Sequence, residues 1–380
     1  MTLTEPLEVP LPDDDARTGA AHRLATLDLP GAGFGVLAEA VDWAAGVQGD
    51  PNPKPFSTVR VVVIAGDHSG GAAAGSPQGS ARAGLELAGT GPLAKLAARV
   101  GASLEVVDAC LTGTPLAPDL TTRITDGAAP IEDTDACTED EAAAGFALGR
   151  KLGDSVADSG VDLLVLASLG AGVDAAAAAT AAFMTGTEAA ALLPRVAYPD
   201  GRVDDAAWMR RCAAVRDALT RVRHRPHEPQ TALAALGGPD LAVATGLVLG
   251  AAARRTPVLL DGPVGLVAAL LARDIAGQAV HWCLAPDTSR HPTAGTVANR
   301  IGLEPFLDLG LDLGEGAAAL TALGLLQAAL DLASTTPTRP TPPPAPETEA
   351  PAAQDQTPSG EGPPPGDDSS AADRDEAAGP

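Results

Sequence analysis

Five short apolar runs constrain the fold of this chain more than any other feature. They lie at 59–65, 104–109, 161–167, 257–260 and 279–284, and each is continuous rather than alternating and is bounded by Gly, Asp or Pro. Continuous apolar runs of this length are typical of strands that are buried on both faces of a sheet. The sequence therefore predicts a sheet that is covered on both sides.

Longer segments rich in Ala, Leu and Arg separate these runs and have helical spacing. They cover 84–100, 139–159, 205–221, 241–253 and 316–333. Alternation of strands and helices predicts an α/β fold, with a Rossmann-like parallel sheet flanked by helices. Ligands of such sheets bind where the strands end at their carboxyl side, so we expect the chemistry in those loops.

The two ends of the chain differ from the middle in composition. We expect a flexible N-terminus over 1–20, one α/β domain over 21–334 and a disordered, Pro-rich acidic tail over 335–380. The tail contains no Leu, Ile, Val or aromatic residue. Such a segment buries too little apolar area to offset its ordering entropy, although a binding role for it stays open.

Charge and cysteine usage exclude several classes of protein. The net charge of −24 argues against a nucleic-acid partner, because a polyanion would be repelled. The four cysteines form no CxxC pair, so we expect neither a metal site nor a disulfide framework. No charge-free apolar run of about 18 residues and no secretory leader is visible, so we expect a soluble, cytoplasmic protein without a membrane partner.

The loop after the first apolar run carries a candidate acid/base pair. Asp67 and His68 lie in a glycine-rich stretch that leads to Ser76 and Gln78. A carboxylate beside an imidazole can move protons, and glycines let a ligand approach the backbone. The simpler interpretation is that His68 hydrogen-bonds its own loop.

Two further loops offer anion or hydroxyl contacts. Gly170 and Gly172 precede a helix start, where backbone N–H groups can cradle a phosphate. The carboxylate of Asp174 would compete with an incoming anion there, and a simply capped helix is the alternative. Asp261, after the fourth run, either caps a helix or reaches a ligand hydroxyl.

Glu315 lies between Gly314 and Gly316, at the end of a stretch in which Leu alternates with Asp and Gly. A carboxylate near a helix start can complement the helix dipole. On composition alone, that structural role is the simpler interpretation, and catalysis is the alternative.

Five motifs together resemble the nicotinate-nucleotide:dimethylbenzimidazole phosphoribosyltransferase family, which makes the lower-ligand nucleotide of cobalamin. They are GDH at 66–68, SPQ at 76–78, LGG at 236–238, VLLDG at 258–262 and GLEPFLDLGLDLGEG at 302–316. The resemblance runs in order from about Arg23 to Ala333, and the last motif is highly specific. It implies a homodimer, a smaller helical subdomain built from the chain ends, and no metal or cofactor.

The resemblance also implies roles for individual residues. Glu315 matches the catalytic glutamate, which removes the N–H proton of the benzimidazole while the other ring nitrogen attacks C1′ and nicotinate leaves. Gln78 matches a residue of the base pocket, and we place Ser76 and His68 with it. We assign the nicotinate mononucleotide and its phosphate to a second set: Gly170, Gly172, Arg211 and Asp261.

The departures from the family pattern lie mainly at the phosphate end. The family's TKPPGSLG reads DLPGAGFG at 28–35, and its GEMGIGNT reads ASLGAGVD at 167–174. Asp174 should weaken phosphate binding by like-charge repulsion, unless Arg210, Arg211, Arg290 or His291 supplies a substitute clamp. These changes leave two alternatives: a non-catalytic or regulatory base-binding paralogue, and a related transferase with another nucleotide donor or base.

Overall fold

The computed structural model describes residues 7–116, 122–198 and 200–340. The greater part of the tail that we expect to be disordered, 341–380, lies outside these residues.

The predicted parallel sheet is confirmed. Its strands are β1 Val59–Gly66, β2 Ser103–Cys110, β3 Leu163–Leu169, β4 Val258–Leu260 and β5 Cys283–Leu284. They are all parallel, in the order β2-β1-β3-β4-β5. The chain adds β2 on one side of β1 and then crosses to the other side to form β3, so the order in which strands are added reverses between β1 and β3. In open α/β sheets, ligands bind at positions of this kind.

Thirteen α-helices surround the sheet in the described part of the chain. They are α1 Asp14–Thr26, α2 Leu37–Gln48, α3 Ser80–Leu87, α4 Pro92–Arg99, α5 Glu139–Asp158, α6 Val173–Thr185, α7 Ala189–Leu192, α8 Asp205–Val222, α9 Pro229–Ala232, α10 Gly238–Ala253, α11 Gly262–Ile275, α12 Pro292–Ile301 and α13 Ala317–Thr335. A π-helical turn, Leu233–Gly237, joins α9 to α10.

Both faces of the sheet are buried, as the continuous apolar runs predict. Val61, Val63 and Ala65 point to one face and pack with residues of α2, α4 and α13. Val62 and Ile64 point to the other face and pack with residues of α5 and α10. Alternate residues of one strand therefore belong to two separate cores, because successive side chains point to opposite faces.

Two predicted elements differ from the structure. The helix predicted over 84–100 is two helices, because Gly89 has φ +71° and Pro92 starts α4. The strand predicted over 279–284 is a strand only at Cys283–Leu284, and Gly277–Trp282 forms a 3-10 helix. Both conformations bury the apolar side chains, so the apolar run by itself does not distinguish them.

Helices α5 and α10 pack at unusually short distance through glycines. A Cβ at Gly149 would lie 2.0 Å from the carbonyl oxygen of Val243, and a Cβ at Gly246 would lie 2.2 Å from that of Phe146. The stretch Pro229–Ala253 is apolar and long enough to cross a membrane, but its most apolar 18 residues are all buried; Ala317–Thr335 passes the same test, and half of its most apolar window is buried. In this fold both stretches contribute side chains to the cores.

The expectation of a flexible N-terminus over 1–20 needs correction for residues 7–20, while residues 1–6 lie outside the described part of the chain. Val9 is 6% exposed, and helix α1 starts at Asp14 with Asp13 accepting a hydrogen bond from the Ala16 N–H at 2.8 Å. The short sequence before α1 lacks obvious periodicity, but tertiary contacts hold it: the indole Nε1 of Trp282 donates to the Pro10 carbonyl at 2.7 Å.

Helix α1 and the residues after it pack against the end of α13 and the residues that follow it, and all of them belong to the same compact unit as the sheet. The guanidinium of Arg23 on α1 donates to the Ala333 carbonyl at 2.9 Å. Leu27 forms an antiparallel bridge with Thr338, and the compact unit extends to Arg339, five residues beyond the predicted boundary at 334.

Candidate active site

A cavity of about 190 Å³ opens at the carboxyl ends of β3, β4 and β5. Its walls come from the β3–α6 loop, the β4–α11 turn, the segment after β5 and the loop that enters α13. It brings together three of the residues selected from the sequence: Gly170, Asp261 and Glu315. The cavity therefore lies at the edge of the sheet where the strand alternation predicts the chemistry.

Glu315 occupies an unusual backbone conformation in this wall. Its φ is +54°, and Gly314 and Gly316 on either side also have positive φ. A Cβ at Gly316 would lie 2.6 Å from the Cβ of Ala167 in β3. The loop thus rests directly on the end of β3, and a non-glycine residue with positive φ is often found where function requires it.

The carboxylate of Glu315 is partly buried and ion-paired. Its Oε2 lies 2.6 Å from Nη2 of Arg82 on α3, and its side chain is 31% exposed. Burial raises its pKa above the ordinary value, while Arg82 acts in the opposite direction. Raised basicity in a partly closed cavity suits a group that accepts a proton.

Asp287 fixes the loop that leads to Glu315. Its carboxylate is buried and accepts hydrogen bonds from the backbone N–H groups of Leu309 and Leu311, both at 2.6 Å. Thr288 adds a backbone bond to Leu307 at 2.9 Å. The segment after β5 therefore holds the alternating Leu/Asp stretch in place over the cavity.

Asp261 caps a helix, but not the helix that directly follows it in sequence. Its carboxylate accepts a hydrogen bond from the Ala319 N–H at 3.1 Å, in the first turn of α13. Burial raises the pKa of Asp261 to about 6. Hydrogen bonds from backbone N–H groups, most of them at the start of α13, act in the opposite direction and lower this pKa. Asp261 thus ties the β4–α11 turn to the helix that begins beside Glu315.

The acid/base pair proposed for the first loop has a structural role. Asp67 is buried and accepts hydrogen bonds from the N–H groups of Gly79 at 2.7 Å, Ala171 at 2.9 Å and Thr112 at 3.1 Å. It therefore joins the loops after β1, β2 and β3. His68 is buried with its Nε2 3.1 Å from Oδ1 of Asp240, and it is not part of the cavity wall.

Ser76 and Gln78 also lie outside the cavity wall. The Ser76 hydroxyl is 2.6 Å from Nη2 of Arg211, whose Nε donates to the Ala74 carbonyl at 2.7 Å. Gln78 is exposed to solvent. The walls of this cavity are formed by later segments of the chain and do not include His68, Ser76 or Gln78. Their contact with the base therefore stays a prediction.

The two glycines of the expected phosphate cradle have packing roles. A Cβ at Gly170 would lie 1.6 Å from the carbonyl oxygen of Gly66, so the ends of β1 and β3 touch there. Gly172, with φ +73°, precedes α6 and lies against His68. Arg211 is buried and already bonded to 74–76, which leaves its predicted phosphate contact as a prediction.

The cavity wall is acidic. It contains five carboxylates, those of Asp174, Asp261, Asp287, Asp312 and Glu315, and no Lys or Arg among the residues that line it. His291 is its one imidazole; burial lowers its pKa, and neither ring nitrogen has a hydrogen-bond partner within the described residues. Among the residues that the structure describes, no group of three or more His, Cys, Asp and Glu side chains is arranged to hold a metal ion.

Two residues of this site escaped the sequence argument. Asp287 is the third residue after β5, so the rule that sites lie at strand ends is a signal that points to it. Arg82 lies on α3, four residues before Glu86, and nothing in the sequence indicates that its partner is Glu315, which is remote along the chain.

Comparisons with known proteins agree with this architecture. A family model described as Phosphoribosyltransferase matches residues 9–340. Curated nicotinate-nucleotide–dimethylbenzimidazole phosphoribosyltransferases are similar to the chain: that of Streptomyces avermitilis is 41% identical over 86% of this chain and 88% of that protein. That of Mycobacterium tuberculosis is 38% identical over 85% and 90%.

A solved structure is similar over most of the chain. The nicotinate-nucleotide-dimethylbenzimidazole phosphoribosyltransferase of Thermus thermophilus superposes with a TM-score of 0.77 at 28% sequence identity. The match covers 86% of this chain and 97% of that one.

Proposed function

This chain belongs to the nicotinate-nucleotide–dimethylbenzimidazole phosphoribosyltransferase family, and we propose that it performs the reaction for which its relatives are named. In that reaction phosphoribosyl passes from nicotinate mononucleotide to 5,6-dimethylbenzimidazole. The products are α-ribazole 5′-phosphate and nicotinate, and the step belongs to the assembly of the lower ligand of cobalamin. The observation that carries the proposal is the carboxylate of Glu315 at the cavity wall.

The chemistry needs a proton acceptor at this place. One ring nitrogen of the benzimidazole forms a bond to C1′, and the bond from C1′ to the pyridinium nitrogen breaks. The electron pair of that bond returns to the pyridinium nitrogen and neutralises it. The proton on the second ring nitrogen passes to Glu315, so that the new nucleotide does not carry a positive charge on its base.

A positioned carboxylate contributes roughly 10²–10⁴-fold to such a step. Glu315 is suited to this role because burial raises its pKa toward the working pH. Asp287 and Asp261 act through the backbone, since they hold the loop before Glu315 and the helix after it.

A base-exchange assay tests the proposal. Purified protein is incubated with nicotinate mononucleotide and dimethylbenzimidazole, and α-ribazole 5′-phosphate is sought by chromatography and mass spectrometry. We expect product and nicotinate in equal amounts. Calorimetric binding of the base without product above an enzyme-free control would instead favour a base-binding paralogue.

A second candidate, a transferase with another donor, is favoured by the acidic wall of the cavity. Five carboxylates and no Lys or Arg line it, and Asp174 lies in the first turn of α6 where a phosphate would be cradled. Like charges at short range disfavour an anionic phosphate. The same assay with nicotinate riboside separates the two donors: a higher kcat/KM for the riboside than for the mononucleotide would support the second candidate.

The homodimer implied by the resemblance and the cytoplasmic location expected from the sequence belong to this proposal. Met209 on α8 is 57% exposed and Val203 before it is 52% exposed, which is compatible with a contact between copies. Light scattering coupled to size-exclusion chromatography measures the oligomeric state, and fractionation of cells measures the location.

A further inference from the structure

An arginine outside the cavity wall is paired with the candidate base. Nη2 of Arg82 lies 2.6 Å from Oε2 of Glu315, which is hydrogen-bonding distance for a charged pair. Of the two carboxylate oxygens of Glu315, Oε2 is the one that lies nearest to Arg82. The two oxygens of Glu315 are therefore not equivalent.

The pairing is selective for Glu315. On its own helix Arg82 lies four residues before Glu86, a spacing at which the two side chains commonly pair. Glu86, however, is 1% exposed and its oxygens accept from the N–H groups of Leu93 at 3.3 Å and Ala94 at 2.7 Å, where α4 begins. Because Glu86 caps α4, Arg82 is left to pair with Glu315.

We infer that Arg82 is a positioning residue for the transfer reaction: it holds Oε2 of Glu315 and leaves Oε1 to take the proton from the incoming base. This inference rests on the proposed function, in which Glu315 is the base. Arg82 itself does not touch the reacting atoms in this account; it acts through the carboxylate.

The charges around Glu315 give the arginine a second effect. The ionisable groups near it are Arg82 and Glu86 on α3, Asp174 on α6, and Asp261, His291 and Asp312 around the cavity. Burial, Glu86 and Asp174 raise the pKa of Glu315, and Arg82 lowers it. Without Arg82 the carboxylate is therefore protonated over a wider range of pH and cannot accept a proton there.

The pair contributes little to the stability of the fold. The side chain of Arg82 is 47% exposed and that of Glu315 is 31% exposed. Partly exposed ion pairs are worth about 0–1 kcal/mol of folding free energy. A merely structural role thus predicts a small change in Tm and no change in the pH dependence of catalysis, whereas a positioning role predicts a change in both kcat and its pH profile.

Three variants test the inference. Arg82→Gln removes the charge, Arg82→Lys keeps the charge but not the planar guanidinium, and Arg99→Gln is the matched control. Arg99 is exposed at the end of α4, so its replacement changes the net charge equally without touching Glu315. For each protein, kcat and kcat/KM for the benzimidazole are measured against pH, and Tm is measured alongside.

We expect the acidic limb of the profile to move to higher pH by about 0.5–1 unit in Arg82→Gln, since an opposite charge at this distance lowers a carboxyl pKa and partial exposure reduces the effect. Arg82→Lys should restore the limb but recover kcat only in part, because an ammonium lacks the fork that orients a carboxylate. Arg99→Gln should match the wild type. Titrations of the substrates are common to all four proteins and cancel in the comparison.

An unchanged limb in Arg82→Gln, or an equal shift in Arg99→Gln, overturns the inference, and so does a loss of Tm without any change in the limb. If the wild type forms no product, the proposed function fails instead. In that case the effect of Arg82 is measured without catalysis, by the ¹³C titration of the Glu315 carboxyl group, whose signal is assigned by comparison with Glu315→Gln. The same titration midpoint in Arg82→Gln as in the wild type overturns the pairing.

Discussion

Replacement of Glu315 by Gln removes the proton acceptor while it keeps the volume of the side chain. The amide still offers an oxygen to Arg82, and the positive φ of +54° is demanded of the new residue as well. The lost ion pair is partly exposed, so the folding free energy should change by no more than about 1 kcal/mol. Folding and base binding should therefore survive the change.

Catalysis should not survive it. Loss of a positioned general base lowers the rate roughly 10²–10⁴-fold, which corresponds to about 3–5 kcal/mol of transition-state free energy. The expected loss at the transition state thus exceeds the expected loss of folding stability several times. A fall in kcat at nearly constant Kd for the base is the signature of this difference.

The assay compares kcat from single-turnover product formation with the calorimetric Kd of dimethylbenzimidazole. Glu304→Gln is the matched control, because Glu304 lies in the same motif but is exposed and outside the cavity wall. Wild-type kcat in Glu315→Gln would refute the assignment of the base. An equal loss in Glu304→Gln would show that the loop as a whole, rather than its carboxylate, is responsible.

The other predictions concern the surroundings of this carboxylate. Asp174→Thr should lower KM for nicotinate mononucleotide by relief of like-charge repulsion, and an unchanged KM contradicts that argument. Gly170→Ala should abolish or strongly destabilise the fold, since its Cβ would lie 1.6 Å from the Gly66 oxygen; Gly324→Ala, with open space around it, should not lower Tm. The pKa of Asp261 is raised by burial from 3.8 to about 6, so its ionisation costs stability as pH rises between these values. The free energy of unfolding of Asp261→Asn should therefore rise relative to that of the wild type, by up to about 3 kcal/mol, as the pH rises from 4 to 7. A difference between the two free energies of unfolding that does not change with pH refutes this.

The fold was predictable because its signal is local. Continuous apolar runs at β1 to β4 match the observed strands within one or two residues, and most of the predicted helices begin and end close to where they are observed. The misjudged elements are those in which burial is equal in two conformations, as at Gly277–Trp282. The break between α3 and α4 had a readable signal in Gly89 and Pro92 that helical spacing alone obscured.

The candidate site was predictable only in part. Glu315, Asp261 and Gly170 were found from their positions after strands and from the motifs that contain them, and they do meet at one cavity. His68 was placed at the base pocket beside Gln78; in the structure its Nε2 lies 3.1 Å from Oδ1 of Asp240 and it does not line the cavity, so its contact with the base stays a prediction. Which titratable side chains are already satisfied by a partner cannot be read from their types.

By itself, the sequence determined the parallel sheet, the edge of the sheet at which the cavity lies and the family to which the chain belongs, because these follow from periodicity and from contiguous motifs. Only the tertiary structure decided which charges face one another: Arg82 with Glu315, Asp287 with the backbone of 309–311, and Asp261 with the start of α13. The physical reason is that electrostatic interactions depend on distance in space, and residues more than twenty positions apart are brought to hydrogen-bonding distance only when strands and helices pack.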